Sequence, residues 1–407
     1  MPGALSHLRV LDLSRVLAGP WCGQILADLG AEVIKVERPG AGDDTRTWGP
    51  PWMKDAEGND TREAAYFMSA NRNKKSVTID LSRPEGQALV KQLASQSDIL
   101  LENYKVGGLA QYGLDYASLH REFPRLIYCS VTGFGQTGPY APRAGYDFII
   151  QGMGGLMSIT GERDDLPGGG PQKVGVAVSD LFTGMYSTVG VLAALAAREV
   201  TGRGQHVDMA LLDTQVAMTA NMAMNYFATG KPPGRAGNAH SNIVPYQTFE
   251  TADGHVIIAV GNDSQFARLC AVLGCPELAK DPRFATNPER VRHRAVIVPL
   301  LAERFAQKPM QHWSDALEAV GVPCGPINSL AQTFDDPHVQ HRGMKIEMPH
   351  PVTGTVPLVG SPLKLSDTPV QYRSAPPTLG QHTDEVLSAV LGLDATAIAR
   401  LRSEGVV

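Results

Sequence analysis

Apolar runs and amphipathic stretches alternate along the first 200 residues. "LRVLDLS" is typical of a buried strand, "AGPWCGQILADLG" has helical periodicity, and "AEVIKVER" is a second apolar strand. The alternation continues through "NKKSVTIDLS", "RPEGQALVKQLASQS", "DILLENY" and "RLIYCSVTGFG". Alternating strands and helices predict a parallel sheet with right-handed crossovers. We therefore predict an α/β protein in which residues 1–200 form a Rossmann-like large domain.

The pattern changes after residue 200. Residues 201–225 predict a linker helix, and residues 226–329 predict a smaller α+β domain because turn-rich, short alternating strands are followed by helical stretches. Residues 330–350 are rich in proline and glycine and predict an extended linker. Amphipathic helical pattern returns from Thr383 onwards.

Composition excludes several classes of protein. The 407 residues are 43% hydrophobic and carry a net charge of −5 with both signs interspersed, so neither a nucleic-acid nor a membrane partner is expected. The uncharged stretch 181–197 is short for a bilayer span and contains several hydroxyl groups, which favours a buried helix. Five scattered cysteines without zinc spacing predict reduced thiols, a cytoplasmic location and no metal site.

The strand ends carry candidate ligand-binding charges. The first strand–helix turn has no GxGxxG pattern, so nicotinamide or flavin binding is not expected. Arg38 follows the second strand, where it suits a ribose phosphate or is simply solvated. Further cations for an anionic ligand, or for solvated loops, are Lys74, Lys75, Lys105 and Arg143.

One acid interrupts the apolar segment "VAVSDLFTGM". Periodicity predicts a helix over about 181–198 that is ended by Gly202, with Asp180 as its N-cap. The cap role is sufficient to explain an aspartate there. The same position also suits a nucleophile, because helix N–H groups favour the ionised carboxylate while apolar neighbours exclude water.

Several long motifs resemble one family. "LDLSRVLAGPWCGQILADLGAEVIKVERPGAGDDTR", "NRNKKSVTIDL", "VGVAVSDLFTGMYSTVGVLAAL", "GRGQHVDMALLD" and "GVPCGPINSLAQTFDDPHVQHRGM" resemble the class III CoA-transferases of the CaiB/BaiF group. The resemblance implies an interlocked homodimer of ring-like protomers, in which residues 351–407 return to the large domain. It also implies that Asp180 of "VSDL" is the nucleophile. An acyl-CoA and a carboxylic acid are then the substrates, coenzyme A is the only cofactor, and no metal or redox group is needed.

The resemblance also implies a set of CoA-binding positions. They follow the first, second and later strands of the large domain. They are Val16, Ala18, Arg38, Ile79, Asp80, Leu81, Ser82, Asn103, Tyr104, Lys105, Arg143 and Tyr146.

Departures from the family pattern narrow the reaction. Racemases of the superfamily have "GHD" where this chain has "GYD". Tyr146, which replaces the histidine, has a reference pKa near 10 and is a poor proton shuttle. CoA transfer is therefore favoured over α-methylacyl-CoA racemisation. "GNDSQ" replaces the glycine run of formyl-CoA transferases, and Gln111 replaces a CoA-contacting arginine of theirs. A formyl- or carnitine-type transferase and a non-catalytic CoA-binding protein remain as alternatives.

The acceptor acid is indicated by one segment. "GNAHSNIVPYQTF" resembles succinyl-CoA-dependent transferases that act on glutarate-type dicarboxylates, so succinyl-CoA and a C4–C6 dicarboxylate are expected. A dicarboxylate would need cationic residues that bind its second carboxylate, and the reaction would need N–H donors that stabilise the oxyanion. The clamp candidates are Arg15, Arg46, Arg235 and His240, and the donors are the N–H groups near Gly261 and Asn262.

Overall fold

The structure is a computed structural model that describes residues 2–407. The strands are β1 (Arg9–Asp12), β2 (Glu32–Glu37), β3 (Trp52–Lys54), β4 (Asp60–Ala64), β5 (Lys74–Thr78), β6 (Ile99–Glu102), β7 (Ile127–Thr132), β8 (His206–Ala210), β9 (Tyr246–Thr251), β10 (Gly254–Ala259), β11 (Cys324–Gly325), β12 (Lys345–His350) and β13 (Gly354–Val359). The helices are α1 (Ala18–Asp28), α2 (Ala65–Met68), α3 (Pro84–Ser95), α4 (Tyr116–Glu122), α5 (Asp147–Met153), α6 (Leu156–Ile159), α7 (Val178–Thr201), α8 (Leu211–Met218), α9 (Ala220–Thr229), α10 (Asp263–Val272), α11 (Asn287–Arg292), α12 (Arg294–Phe305), α13 (Met310–Glu318), α14 (Leu330–Asp335), α15 (Pro337–His341), α16 (Thr383–Leu391) and α17 (Ala395–Ser403).

The chain divides into two compact units. Unit 1 contains Met1–Leu156, Val174–Met224 and Pro337–Val407, and unit 2 contains Met157–Lys173 and Asn225–Asp336. Residues 157–173 thus group with the smaller unit, whereas the sequence pattern assigned them to the large domain. The segment is short and has no strand of the central sheet, so its sequence carries no signal of which unit it joins.

Unit 1 is built on a six-stranded parallel sheet. Its strand order is β5-β2-β1-β6-β7-β8, the order of doubly wound dinucleotide-binding folds. Separate apolar clusters cover the two faces of the sheet, as expected when both are buried by helices. The prediction of an α/β protein with a parallel central sheet is confirmed.

The predicted linker helix at 201–225 is wrong at its start. Residues His206–Ala210 form β8, the sixth strand of the sheet, which pairs with β7 through Tyr128–His206 and Ser130–Asp208. The helices α8 and α9 then occupy most of the remainder. A five-residue strand of mixed polarity has too little periodicity to be separated from the helical pattern around it.

The long helix α7 packs against α1 through small residues. A Cβ on Gly184 would lie 2.7 Å from the Ala18 carbonyl oxygen and 2.9 Å from Trp21 Cβ, so the two helices approach closely because position 184 has no side chain. Within residues 2–407, α7 alone is long and apolar enough to pass a composition test for a membrane span. One side of α7 packs closely on α1, but the other side is exposed in the single chain, so the prediction of a buried helix holds only for the side that faces α1.

Two buried lysines support the loop after β1. Lys35 Nζ lies 2.9 Å from Asp43 Oδ2 and donates a 2.7 Å bond to the Ser14 carbonyl; both charged side chains are fully buried. Lys74 Nζ likewise bonds Asp12 Oδ2 at 3.0 Å. Lys74 is therefore a structural cation rather than a candidate ligand group, and Lys75 is engaged with Glu32 and Glu385.

Unit 2 contains an antiparallel sheet in the order β11-β10-β9 with helices around an aromatic core. Phe249 stacks on Phe305, and Phe305 meets Trp313 edge-on. The predicted linker 330–350 is more regular than expected: it contains α14, α15 and β12, and β12 pairs with β13 in unit 1. A capping box between Ser329 and Gln332 begins α14, a local signal that the proline content obscured.

The C-terminal segment lies along the free edge of the parallel sheet. His382 N–H bonds the Ser76 carbonyl at 2.9 Å, and Thr78 N–H bonds Thr383 Oγ1 at 3.0 Å. Asp80 N–H bonds the Val406 carbonyl at 2.8 Å. The two amphipathic helices predicted in this segment are confirmed as α16 and α17, and they cover the edge strand β5.

Candidate active site

Two adjoining cavities lie where the strand order reverses. The first, about 190 Å³, is lined by the segments that follow β1 and β6, together with residues 141–146 and Asp180. The second, about 430 Å³, lies beside the ends of β2 and β5. Arg15, Asp44 and Tyr104 line both cavities. Open α/β sheets bind ligands at this switch point, so the two cavities form a candidate groove.

All twelve residues proposed for CoA binding line this groove. The stretch from Ile79 to Ser82 and Arg38 line the larger cavity. The smaller cavity holds Val16, Ala18, Asn103, Tyr104, Lys105, Arg143 and Tyr146. The fold therefore brings together residues that are up to 130 positions apart in the chain.

The cations of the groove differ from the structural cations around it. Arg38, Lys105 and Arg143 are exposed and have no ion-pair partner within residues 2–407. Arg143 is held in place by rings instead, with its guanidinium carbon 4.5 Å from the Tyr140 centroid and 5.3 Å from that of Phe134. Uncompensated, partly ordered cations suit the phosphate groups of a bound anion.

At the end of β2 the acidic residue is engaged within the fold, whereas the cation next to it is not. Glu37, at the position where dinucleotide enzymes bind ribose hydroxyls, accepts bonds of 2.7 and 2.8 Å from Arg46 and one of 2.6 Å from Ser76. Its carboxylate is buried and fully used. The adjacent Arg38 is free, which favours a ribose that carries a phosphate.

Val16 adopts a strained backbone at the wall of the groove. Its φ is 71°, which is unfavourable for a β-branched residue. The Val16 N–H lies 3.2 Å from Asp43 Oδ1, and Asp43 is held by Lys35. The buried ion pair therefore fixes the turn that shapes the entrance to α1.

Asp180 is the acid of the smaller cavity that no protein group engages. It lies in the first turn of α7, which begins at Val178 rather than near 181, so Asp180 is not the N-cap. The N-cap is Ala177, which has no capping side chain. Within residues 2–407 the Asp180 carboxylate has neither an ion-pair nor a hydrogen-bond partner. Its position leaves it available to an incoming carbonyl carbon.

Burial changes the acidity of Asp180. Desolvation first, and the negative charge of Asp147 second, raise the pKa of Asp180 from 3.8 to about 7. The sequence predicted a stably ionised carboxylate because of the helix N-terminus. In the structure, burial and a neighbouring acid act in the opposite direction and favour the protonated form.

Two of the candidate clamp residues lie in unit 1 and differ in availability. Arg15 lines both cavities, and its exposed side chain makes a 3.0 Å pair with exposed Asp44. Arg46 is fixed in the bidentate pair with Glu37 and stacks on Phe67 at 3.7 Å. Arg46 is therefore committed to the fold, and Arg15 is the better clamp candidate.

The other tentative residues lie in unit 2. Arg235 pairs with Asp164, and His240 Nδ1 accepts a 3.0 Å bond from Asn242 N–H. Gly261 N–H donates to Gln265 Oε1 at 2.7 Å, so that donor is used within its own turn. Asn262 caps α10 through Gln265 N–H at 2.9 Å. Each therefore has a local structural role.

Sequence reasoning missed the buried groups behind the site. Asp43, Lys35 and Asp147 fix the walls of the groove, but each resembles an ordinary surface charge in the sequence. A usable signal existed for Lys35, because a lysine inside the apolar strand "AEVIKVER" must be paired to be buried. Within residues 2–407 no group of three His, Cys, Asp or Glu side chains is arranged to hold a metal.

The strand order and the groove at its switch point define the class of doubly wound α/β proteins that bind ligands at the carboxyl ends of parallel strands. Comparison with known proteins narrows this class. The model of CoA-transferase family III matches residues 5–383. The succinate–glutarate CoA-transferase of Agrobacterium fabrum is 51% identical over 97% of both chains, and the succinyl-CoA:glutarate CoA-transferase of Homo sapiens is 44% identical over 99% of this chain and 90% of that protein. The crystal structure of a CaiB/BaiF family protein from Brucella suis has 52% identity, with a TM-score of 0.83 over 96% of this chain and all of that one.

The chain belongs to CoA-transferase family III and is an enzyme of that family. The resemblance seen in the sequence motifs is confirmed.

Proposed function

We propose that this enzyme transfers CoA from succinyl-CoA to a C4–C6 dicarboxylic acid such as glutarate, with Asp180 as nucleophile. The observation that carries the proposal is the uncommitted Asp180 carboxylate in a groove that contains all twelve expected CoA-binding residues. The names of the relatives support the choice of donor and acceptor.

The first half-reaction loads CoA onto the protein. A carboxylate oxygen of Asp180 attacks the thioester carbon, the C–S bond breaks, and CoA leaves as a thiolate whose conjugate thiol has a pKa of about 8.5. The thiolate then attacks the Asp180 carbonyl of the mixed anhydride. The anhydride C–O bond breaks, succinate leaves, and an Asp180–CoA thioester remains.

The second half-reaction is the reverse with the acceptor acid. Its carboxylate attacks the Asp180 thioester and displaces CoA thiolate, which then attacks the acceptor acyl carbon and regenerates the Asp180 carboxylate. No step needs a proton donor or acceptor.

Arg15 is the proposed clamp for the distal carboxylate. Its present partner Asp44 is exposed, so exchange for a substrate carboxylate costs little. A guanidinium binds a carboxylate through two parallel bonds, which favours dicarboxylates over monocarboxylates of equal length. Unit 2 residues Gly261 and Asn262 remain proposed oxyanion donors, provided that Gln265 releases the Gly261 N–H.

A chromatographic assay with succinyl-CoA and a panel of acids tests the proposal. The wild type is expected to form glutaryl-CoA faster than pentanoyl-CoA, and Arg15→Ala is expected to lose this preference. Asp180→Ala is expected to form no product while it still binds succinyl-CoA. Mass spectrometry of the stalled wild-type enzyme should locate CoA on Asp180. Product formation by Asp180→Ala would contradict the mechanism, and a 2-methylacyl-CoA that loses stereochemical purity would instead indicate racemisation.

The assembly and location are also proposed. An interlocked homodimer is supported by an apolar face on α5, α7 and α8 of unit 1, defined by Phe148, Ile149, Met153, Phe182, Met185, Tyr186, Val189 and Val216, all exposed in the single chain. Five unpaired cysteines within residues 2–407 support a reducing, cytoplasmic compartment.

A further inference from the structure

A buried polar network lies beneath the first turn of α7. Ser179 Oγ donates a 2.6 Å bond to Gln215 Oε1, and Ser179 N–H donates a 2.8 Å bond to Asp147 Oδ1. Ser179, Gln151 and Gln215 are all fully buried. The network joins α5, α7 and α8 at the residue that precedes the nucleophile.

We propose that Asp147 is a positioning residue for Asp180: it caps α7 from the neighbouring helix and holds a negative charge beside the nucleophile. The inference rests on the proposed function, in which Asp180 attacks the thioester. Asp147 itself does not contact the reacting atoms.

The cap role follows from what α7 lacks. Ala177 has no side chain that can accept from the first N–H groups. The Val178 N–H bonds the Val176 carbonyl at 2.8 Å, and the Ser179 N–H is the one that bonds Asp147. Asp147 Oδ1 supplies this acceptor, 32 residues before Ser179 in the chain. A side-chain cap is worth about 1 kcal/mol and, here, also fixes the rotation of the turn that carries Asp180.

Asp147 is itself held at both oxygens. Its Oδ2 accepts a 2.7 Å bond from Gln151 Nε2. Gln151 Oε1 in turn accepts a 2.9 Å bond from the N–H of Val174, which lies in the segment that precedes α7. Gln215 approaches closely from the other side, since a Cβ on Gly154 would lie 2.3 Å from Gln215 Cγ. The carboxylate therefore has little freedom to turn away.

The charge of Asp147 acts on Asp180. It is the second cause, after burial, of the rise in the pKa of Asp180 to about 7. The other charged or titratable groups around the same cavity are Arg15, Asp44, Tyr104, Lys105, Arg143 and Tyr146. Tyr66 of α2 also lies within range, and its pKa is raised to about 12 by burial and by the charges of Asp180, Asp147 and Asp43. A more basic carboxylate is a stronger nucleophile while a useful fraction is still ionised at neutral pH.

Two variants separate the charge of Asp147 from its geometry. Asp147→Asn keeps an acceptor for Ser179 N–H and removes the charge, whereas Asp147→Glu keeps the charge and displaces the acceptor. Asp213→Asn is the control, because it removes an exposed acid from α8, outside the groove. For the wild type and each variant, kcat and KM are measured as a function of pH. Binding of succinyl-CoA and the circular dichroism spectrum are recorded for the same proteins.

The pH profile should distinguish them. The nucleophile must be ionised, so wild-type kcat/KM should rise with pH through about 7. Without the neighbouring negative charge the rise should occur at lower pH in Asp147→Asn and stay near the wild-type position in Asp147→Glu. Misplacement should lower the plateau kcat of Asp147→Glu by about 10- to 100-fold without raising KM.

The outcomes are separable from those of the proposed function. An Asp147→Asn profile that coincides with wild type, or an Asp147→Glu plateau equal to wild type, overturns the positioning role. Failure to find CoA on Asp180 in wild type overturns the mechanism instead, whatever the Asp147 variants do. Asp213→Asn should match wild type; a profile shifted like that of Asp147→Asn would show that general surface charge is responsible and would equally overturn the proposal.

Discussion

Individual charged residues in unit 1 fall into two groups that the structure separates. Lys35 and Lys74 are buried, Arg46 is largely covered, and all three are paired with acids, so they stabilise the loops around the groove. Arg38 and Arg143 are exposed and unpaired at the groove itself. Burial together with an acid partner therefore identifies a structural cation. An exposed cation at the groove stays accessible to a ligand whether it is unpaired or, like Arg15, paired with an exposed acid.

Arg38 provides a test at this scale. Arg38→Ala should raise KM for succinyl-CoA about 10- to 100-fold with kcat little changed, because a charge-assisted bond contributes about 1.5–3 kcal/mol. Succinyl-3′-dephospho-CoA is the matched substrate. The wild type should discriminate between the two thioesters, and the variant should not; equal KM values in the wild type would place the phosphate elsewhere.

Among the elements, the loop after β2 depends on one buried pair. The charge of Lys35 and hydrogen bonds to the carboxylate overcome the cost of burial and lower the pKa of Asp43 from 3.8 to about 2. A carboxylate with a depressed pKa stabilises the fold above about pH 4, and this contribution is lost as pH falls through about 2. Since Asp43 also holds Val16, the same acid connects stability to the shape of the groove.

Asp43 and its neighbour Asp44 allow the buried ion pair to be tested against an exposed one. Asp43→Asn should lower the free energy of unfolding at pH 7 by about 3–5 kcal/mol, because Lys35 would remain buried without a partner. Asp44→Asn removes only an exposed ion pair with Arg15. It should change the free energy of unfolding at pH 7 by less than about 1 kcal/mol. Urea unfolding at pH 7 and pH 3 measures both; equal stabilities of the two variants at pH 7 would contradict the role of the buried pair.

How far the sequence predicts the elements depends on whether the determining contacts are local. The alternation of strands and helices and the C-terminal helices were predicted correctly because their signals lie within each segment. The start of α7 was not predicted correctly, because the side chain that caps this helix is Asp147 of α5. The strand β8 was missed because five residues of mixed polarity gain strand character only by pairing with β7.

The candidate site shows the same division. The family motifs supplied Asp180 and twelve groove residues, which the fold brings into two adjoining cavities. The assignment of Arg46 to substrate was weakened because its pairing with Glu37 depends on tertiary packing. The elevated pKa of Asp180 was likewise not predictable, since it arises from burial and from an acid that is distant in sequence.

At the scale of the whole molecule, the apolar face of α5, α7 and α8 predicts self-association. On α7 its members Phe182, Met185, Tyr186 and Val189 follow helical spacing and form one stripe. The opposite side of the same helix packs on α1. A helix that is apolar on both sides is expected to be covered on both in the functional protein.

Charge introduced into this stripe should prevent association. Wild type is expected to sediment as a dimer, and a Met185→Asp, Val189→Asp double variant as a monomer or an aggregate. Val352→Asp, at an exposed apolar residue in the turn between β12 and β13, is the control and should remain dimeric. Analytical ultracentrifugation distinguishes these states, and a monomeric wild type would contradict the proposed assembly.

The coverage of β5 by the C-terminal segment has a consequence for synthesis on the ribosome. The strands β1, β2 and β5 emerge early, yet the groups that satisfy β5 belong to residues 382–383, and Arg373 bonds the carbonyls of Ala27, Gly30 and Ala31. Until some 300 further residues have been translated, the nascent sheet has an open edge that is able to pair with other chains. A chaperone that shields this edge during elongation would therefore increase the yield of native enzyme more than one that acts only after release.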